Sequence, residues 1–80
     1  MSNRNIILYS KPNCMQCNFT KKYLEDAGVD FEVKDISVSE EAKNEVKELK
    51  FMSLPVVAAD GFKPFSGFRP DLLQQIADKA

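Results

Sequence analysis

The first apolar run, Ile6-Ile7-Leu8-Tyr9, is continuous and β-branched, the pattern of a central strand covered on both faces. After Lys11-Pro12-Asn13 the period changes. Phe19, Tyr23, Leu24 and Ala27 recur at helical spacing, and Gly28 stands where a helix end needs a residue free to take positive φ. Phe31-Glu32-Val33-Lys34 alternates apolar with polar, which predicts a half-exposed strand. Ser37 and Glu40 have capping-box spacing, and Ala42, Val46 and Leu49 then mark the inner side of a second helix. Pro55-Val56-Val57-Ala58-Ala59 reads as a strand, and Asp60-Gly61 as a two-residue hairpin turn. The returning strand, Phe62-Lys63-Pro64-Phe65, contains a proline that cannot donate to a ladder, so it belongs at a sheet edge. Ser66-Gly67 turns the chain again. Pro70 opens a last helix at its first position, Asp71 suits the positive end of the helix dipole, and Leu72, Leu73, Ile76 and Ala77 form the buried stripe.

These elements predict an α/β fold in the order β-α-β-α-β-β-α, with residues 1–80 forming one domain. The helix between the first two strands makes them parallel through a right-handed crossover, and the last two form an antiparallel hairpin. The expected architecture is a four-stranded mixed sheet with helices on both faces.

Composition narrows what such a domain does. Eleven basic against twelve acidic residues leave a net charge of −1, with no cationic excess to meet a phosphate backbone, so nucleic acid is not an expected partner. Histidine is absent, which removes Cys–His and Ser–His catalysis and most zinc sites. The apolar run near the start has four residues, against roughly 7–15 for a signal peptide and about 20 for a membrane helix. The expectation is a cytoplasmic protein with no membrane partner. In that compartment disulfides are mostly transient and catalytic, so two cysteines call for a chemical explanation.

Cys14-Met15-Gln16-Cys17 lies between the buried strand and the first amphipathic helix. A thiol there faces unpaired backbone N–H groups and the positive end of the helix dipole, both of which favour the thiolate that attacks disulfides. The i, i+3 spacing puts Cys17 one turn later on the same side, within reach of a disulfide. Cys14, nearer the loop and solvent, is the expected nucleophile, and Cys17, shielded in the first turn, the resolving thiol. A structural staple closing so small a ring would gain only about 2 kcal/mol in the chain-entropy model. A second class, copper carriage, also uses a Cys-x-x-Cys pair where a first strand meets a first helix, and thiolates suit Cu(I). Such carriers run β-α-β-β-α-β and end on a strand, unlike the order read here. A tetrahedral zinc site would need two more ligands, and no metal site is expected.

Three segments together carry a family likeness: Tyr9-Ser10-Lys11-Pro12-Asn13-Cys14-Met15-Gln16-Cys17, Leu54-Pro55-Val56-Val57 and Ser66-Gly67-Phe68-Arg69-Pro70-Asp71. In that order and spacing the chain resembles the NrdH-redoxins, glutaredoxin-sized proteins of the thioredoxin fold that behave like thioredoxins. The resemblance implies a protein disulfide reductase that takes electrons from NADPH through thioredoxin reductase and passes them to class Ib ribonucleotide reductase. It implies no bound cofactor beyond a redox-active Cys14–Cys17 disulfide, and a monomer. It also implies that Pro55 is a cis-proline facing the cysteines, where an extended partner strand can lie along the chain. Partner contacts are then expected from Lys11, Met15, Gln16, Leu54, Pro55, Phe65, Ser66, Gly67, Phe68 and Arg69. The runner-up is a glutathione-dependent glutaredoxin. Such proteins keep a Gly-Gly pair and an acidic residue in the region of Ser66 to Asp71, where this chain has the bulky Phe68 and Arg69, so Arg69 reads as a hub tying down its segment rather than a glutathione clamp. Lys11 either supports the Cys14 thiolate or solubilises its loop. Phe65 and Phe68 are either core or docking surface. Phe65 departs from the tryptophan common in the family, which removes an indole N–H donor.

Overall fold

A computed structural model describes residues 6–79, so residues 1–5, part of the N-terminal reading, lie outside it. The elements are β1 (Ile6–Ser10), α1 (Met15–Asp26), β2 (Glu32–Asp35), α2 (Glu40–Glu48), β3 (Val56–Ala59), β4 (Phe65–Ser66) and α3 (Pro70–Lys79). The strands lie in the order β2-β1-β3-β4, with β1 and β2 parallel and the β1–β3 and β3–β4 pairs antiparallel. This is the predicted thioredoxin-like arrangement.

Alternation along the two central strands divides the interior. Ile6 and Leu8 pair with Ala59 and Val57, and these four residues face α1 and α3, where Leu24, Leu73 and Ile76 close the larger core. Tyr9 pairs with Val56 on the opposite face, against Ala42 and Val46 of α2. Both long crossings thus bury apolar stripes, and the C-terminal ends of β1 and β2 are left facing the loops that carry the chemistry.

Two helix ends share one design. At the end of α1, Gly28 N–H bonds Glu25 O and Val29 N–H bonds Leu24 O, with Gly28 at φ +73°. At the end of α2, Lys50 N–H bonds Lys47 O and Phe51 N–H bonds Val46 O, with Lys50 at φ +66°. Both are Schellman ends, which need a left-handed residue just past the cap. Glycine meets that need at no steric cost, and lysine does not.

Four expectations need correction. The N-cap of α2 is Ser39, whose hydroxyl accepts from Ala42 N–H, and not Ser37. Ser37 instead gives both its N–H and its hydroxyl to Asp35, a local Asx-type contact that removes it from competition. Leu49 is the half-exposed C-cap of α2 and not part of its buried side. Phe19 is 52% exposed, because the inner positions of α1 are Cys17, Thr20 and Leu24. Thr20 is buried because its hydroxyl bonds Gln16 O one turn back. Finally, Asp60-Gly61 does turn the chain, with Phe62 N–H on Ala59 O, but pairing resumes only at Phe65 and Ser66. Pro64, with no N–H, stands just before that short edge strand.

Candidate active site

Asn13, at φ +63°, bends the loop after β1 so that Cys14 enters α1 as its N-cap. Asparagine tolerates this left-handed backbone better than most residues. Cys14 Sγ accepts from Cys17 N–H at 3.2 Å, so sulfur occupies the place of an ordinary capping oxygen. No acidic residue stands in the first turn of α1 to oppose negative charge on that sulfur. Cys14 and Cys17 are joined by a disulfide with their Cα atoms 5.2 Å apart. Cys14 is partly exposed, whereas Cys17 is 2% exposed. The difference in access is the one that the spacing along the helix implied.

Two long-range hydrogen bonds tie the proline loop, the Ser66–Phe68 segment and the cysteine helix together. The Leu54–Pro55 bond is cis, and Pro55 O accepts from Gly67 N–H at 2.8 Å. Gln16, inside the cysteine motif, accepts at Oε1 from Phe68 N–H at 3.3 Å. The Ser66–Phe68 segment is therefore held by the proline loop on one side and by α1 on the other. Gly67, at φ +84°, makes this turn. The Phe68 ring lies 6.0 Å from Phe19 and 6.4 Å from Tyr23, centroid to centroid, in tilted and edge-on arrangements. Met15 is 73% exposed beside this cluster in sequence.

The open choice for the two phenylalanines resolves unequally. Phe65 is buried in the larger core, whereas Phe68 is only partly buried and Phe19, which helical spacing turns inward, is exposed. Arg69 is narrower than the hub expected of it. Its guanidinium bonds Asp71 two residues on, at 3.3 and 3.4 Å, and that contact is what holds the Asp71 carboxyl below its usual range. Lys11 is exposed, pairs with no carboxylate among the described residues, and shares a groove with Leu54. On the far face, Tyr9 donates to Glu45 at 2.5 Å and Lys34 approaches the same oxygen at 3.4 Å. Burial and this bond raise the Tyr9 phenol above its ordinary range, while the Tyr9 and Lys34 contacts lower Glu45.

A disulfide at the start of a helix, one sulfur accessible and one covered, on a four-stranded sheet of this order, defines a thiol–disulfide oxidoreductase of the thioredoxin fold. The glutaredoxin family model matches residues 6–62. The glutaredoxin-like protein NrdH of Lactococcus lactis strain IL1403 is 40% identical over 90% of this chain and 99% of its own. That of Salmonella typhimurium is 36% identical over 90% and 88%. The solved structure of NrdH-redoxin from Escherichia coli superposes with a TM-score of 0.84 at 36% identity, covering 90% of this chain and 93% of that one. The chain belongs to the glutaredoxin family and, within it, to the NrdH glutaredoxin-like proteins.

Proposed function

We propose that this chain is a cytoplasmic, monomeric electron carrier that reduces the disulfide of class Ib ribonucleotide reductase and is recharged by thioredoxin reductase with electrons from NADPH. In the reduced form the Cys14 thiolate attacks one sulfur of the target disulfide. A Cys14–target bond forms, the target bond breaks, and the first target sulfur leaves as a thiolate that takes a proton. Cys17 then loses its proton and attacks Cys14 Sγ, which expels the second target sulfur. Two electrons have passed to the target, and the protein is left as the Cys14–Cys17 disulfide. Thioredoxin reductase returns two electrons to that disulfide.

The observation that carries this reading is the pairing of the Ser66–Phe68 backbone. A glutathione molecule beside Cys14 would need free donors there, and the N–H groups of Gly67 and Phe68 are already bonded to Pro55 O and Gln16 Oε1. Opening the Gly67 bond would leave the carbonyl of the buried Pro55 unsatisfied, at about 1–3 kcal/mol, while the exposed Phe68–Gln16 bond adds a smaller cost. The NrdH-redoxin of E. coli, described as having a thioredoxin-like activity profile, lends further support. Two measurements test the proposal. NADPH with thioredoxin reductase is expected to reduce the oxidised protein rapidly, and millimolar glutathione only slowly. Cys17→Ser is expected to trap the ribonucleotide reductase subunit as a mixed disulfide, and Cys14→Ser to trap nothing. Equal turnover with glutathione would replace this reading by that of an ordinary glutaredoxin.

A further inference from the structure

A groove of about 450 Å³ runs along the side of the site away from Phe68. Its apolar wall comes from Ile36, Phe51 and Leu54, and its rim from Met52, which is wholly exposed. The charged residues that line it are Lys11, Lys43 and Lys47, with no carboxylate among them. None of the three forms an ion pair among the described residues, although the chain as a whole carries one more acid than base. Lys43 and Lys47 stand four apart on α2, a like-charge spacing that weakens a helix slightly. Unpaired cations beside apolar surface match a partner that brings carboxylates with an apolar residue.

We propose that this groove docks an acidic, extended segment of the target protein, next to the cysteine that Cys14 attacks. The inference rests on the disulfide-reductase reading above and adds the charge of its substrate. Position sets the register. Leu54 belongs to the wall and immediately precedes Pro55, and Lys11 is three residues before Cys14, a chain length of at most about 11 Å. Glutamates or aspartates within about three residues of the attacked cysteine therefore reach Lys11 and the groove that it shares with Lys43 and Lys47, and an aliphatic or aromatic neighbour lies against Phe51 and Met52.

The test uses pre-reduced protein in single turnover and two synthetic peptides, each closed by one disulfide and labelled with a fluorophore and quencher. One carries three glutamates beside its first cysteine, and the other carries glutamines at those places. The wild-type protein is expected to reduce the acidic peptide about tenfold faster at low salt, and the ratio to shrink toward one in half-molar salt. In a Lys43→Gln/Lys47→Gln protein the ratio is expected to fall about threefold or more at low salt, because the loss of rim charge acts mainly on encounter. A wild-type ratio near one overturns the proposal, as does a preference that survives both substitutions. If the substitutions slow reduction of the oxidised protein by glutathione and leave the peptide ratio unmoved, the groove is a small-thiol site and the proposal falls. If neither peptide is reduced at all, the disulfide-reductase reading fails, and this inference with it.

Discussion

The two faces of the sheet are held by different physics. Among the described residues, nine buried apolar side chains make one cluster on the side of α1 and α3, and the partly buried rings of Tyr23, Phe31, Phe62 and Phe68 extend it. On the side of α2, the buried cluster has four members, one of them a tyrosine whose hydroxyl must be satisfied. Glu45 satisfies it and is shared with Lys34, so the smaller core is completed by a polar contact that spans β1, β2 and α2. Burial of hydrocarbon hardly depends on pH, whereas a phenol–carboxylate bond does. The apolar cluster under α1 and α3 is thus held without a titrating bond, and the cluster under α2 is not.

Core truncation is the strongest way to break this comparison. Leu73→Ala, at a fully buried position on the α1–α3 side, is expected to cost about 2–5 kcal/mol in denaturant unfolding. Val46→Ala on the α2 side removes less hydrocarbon from a smaller cluster and is expected to cost about 1–2 kcal/mol. Equal losses would show that the faces do not differ in apolar content as described.

A pH series sharpens the contrast. Glu45 is held below its ordinary value of 4.5, so the stability it contributes is complete above that pH and is lost as the solution becomes more acid. Tyr9 is raised above its ordinary 10.0, so its contribution is complete below pH 10 and lost above it. Tyr9→Phe is therefore expected to lower the unfolding midpoint between about pH 5 and 10, with the gap to wild type narrowing at both extremes. A gap that stays constant with pH would remove the titrating bond from the account.

The smallest expected effect concerns the helix ends. Lys50→Gly is expected to stabilise the protein by a few tenths to about 1 kcal/mol, since relief of the left-handed backbone is partly offset by the freer unfolded chain. Gly28→Ala is expected to destabilise it, and by backbone strain alone, because an added Cβ at Gly28 meets no atom within 4 Å. Calorimetric midpoints moving in opposite directions would check the pair.

What the sequence made legible follows the range over which each choice is decided. The cysteine motif, Gly28 and Pro70 act through neighbouring backbone, and each stands where pattern and spacing put it. The choice between Ser37 and Ser39 as cap turned on Asp35, which claims Ser37 first, a competition that spacing alone does not reveal. Periodicity turns Phe19 inward because it favours a ring over Thr20, whose hydroxyl is satisfied by Gln16 O. The bonds from Gly67 to Pro55 and from Phe68 to Gln16 join residues far apart in the chain, and no local signal announces them. The lysine groove had a faint one, Lys43 and Lys47 at i, i+4 with no acid between them on that side.

One consequence is spectroscopic. The chain has no tryptophan and two tyrosines, and the sheet separates them. Tyr9 lies in the α2 cluster with its phenol on Glu45, an arrangement that quenches emission. Tyr23 packs on the opposite side, edge-on to Phe68, whose own N–H is tied to the cysteine motif through Gln16. Ultraviolet emission from the unlabelled protein is thus a two-channel signal, in which Tyr23 follows the segment beside the disulfide and Tyr9 brightens only when α2 lifts from the sheet.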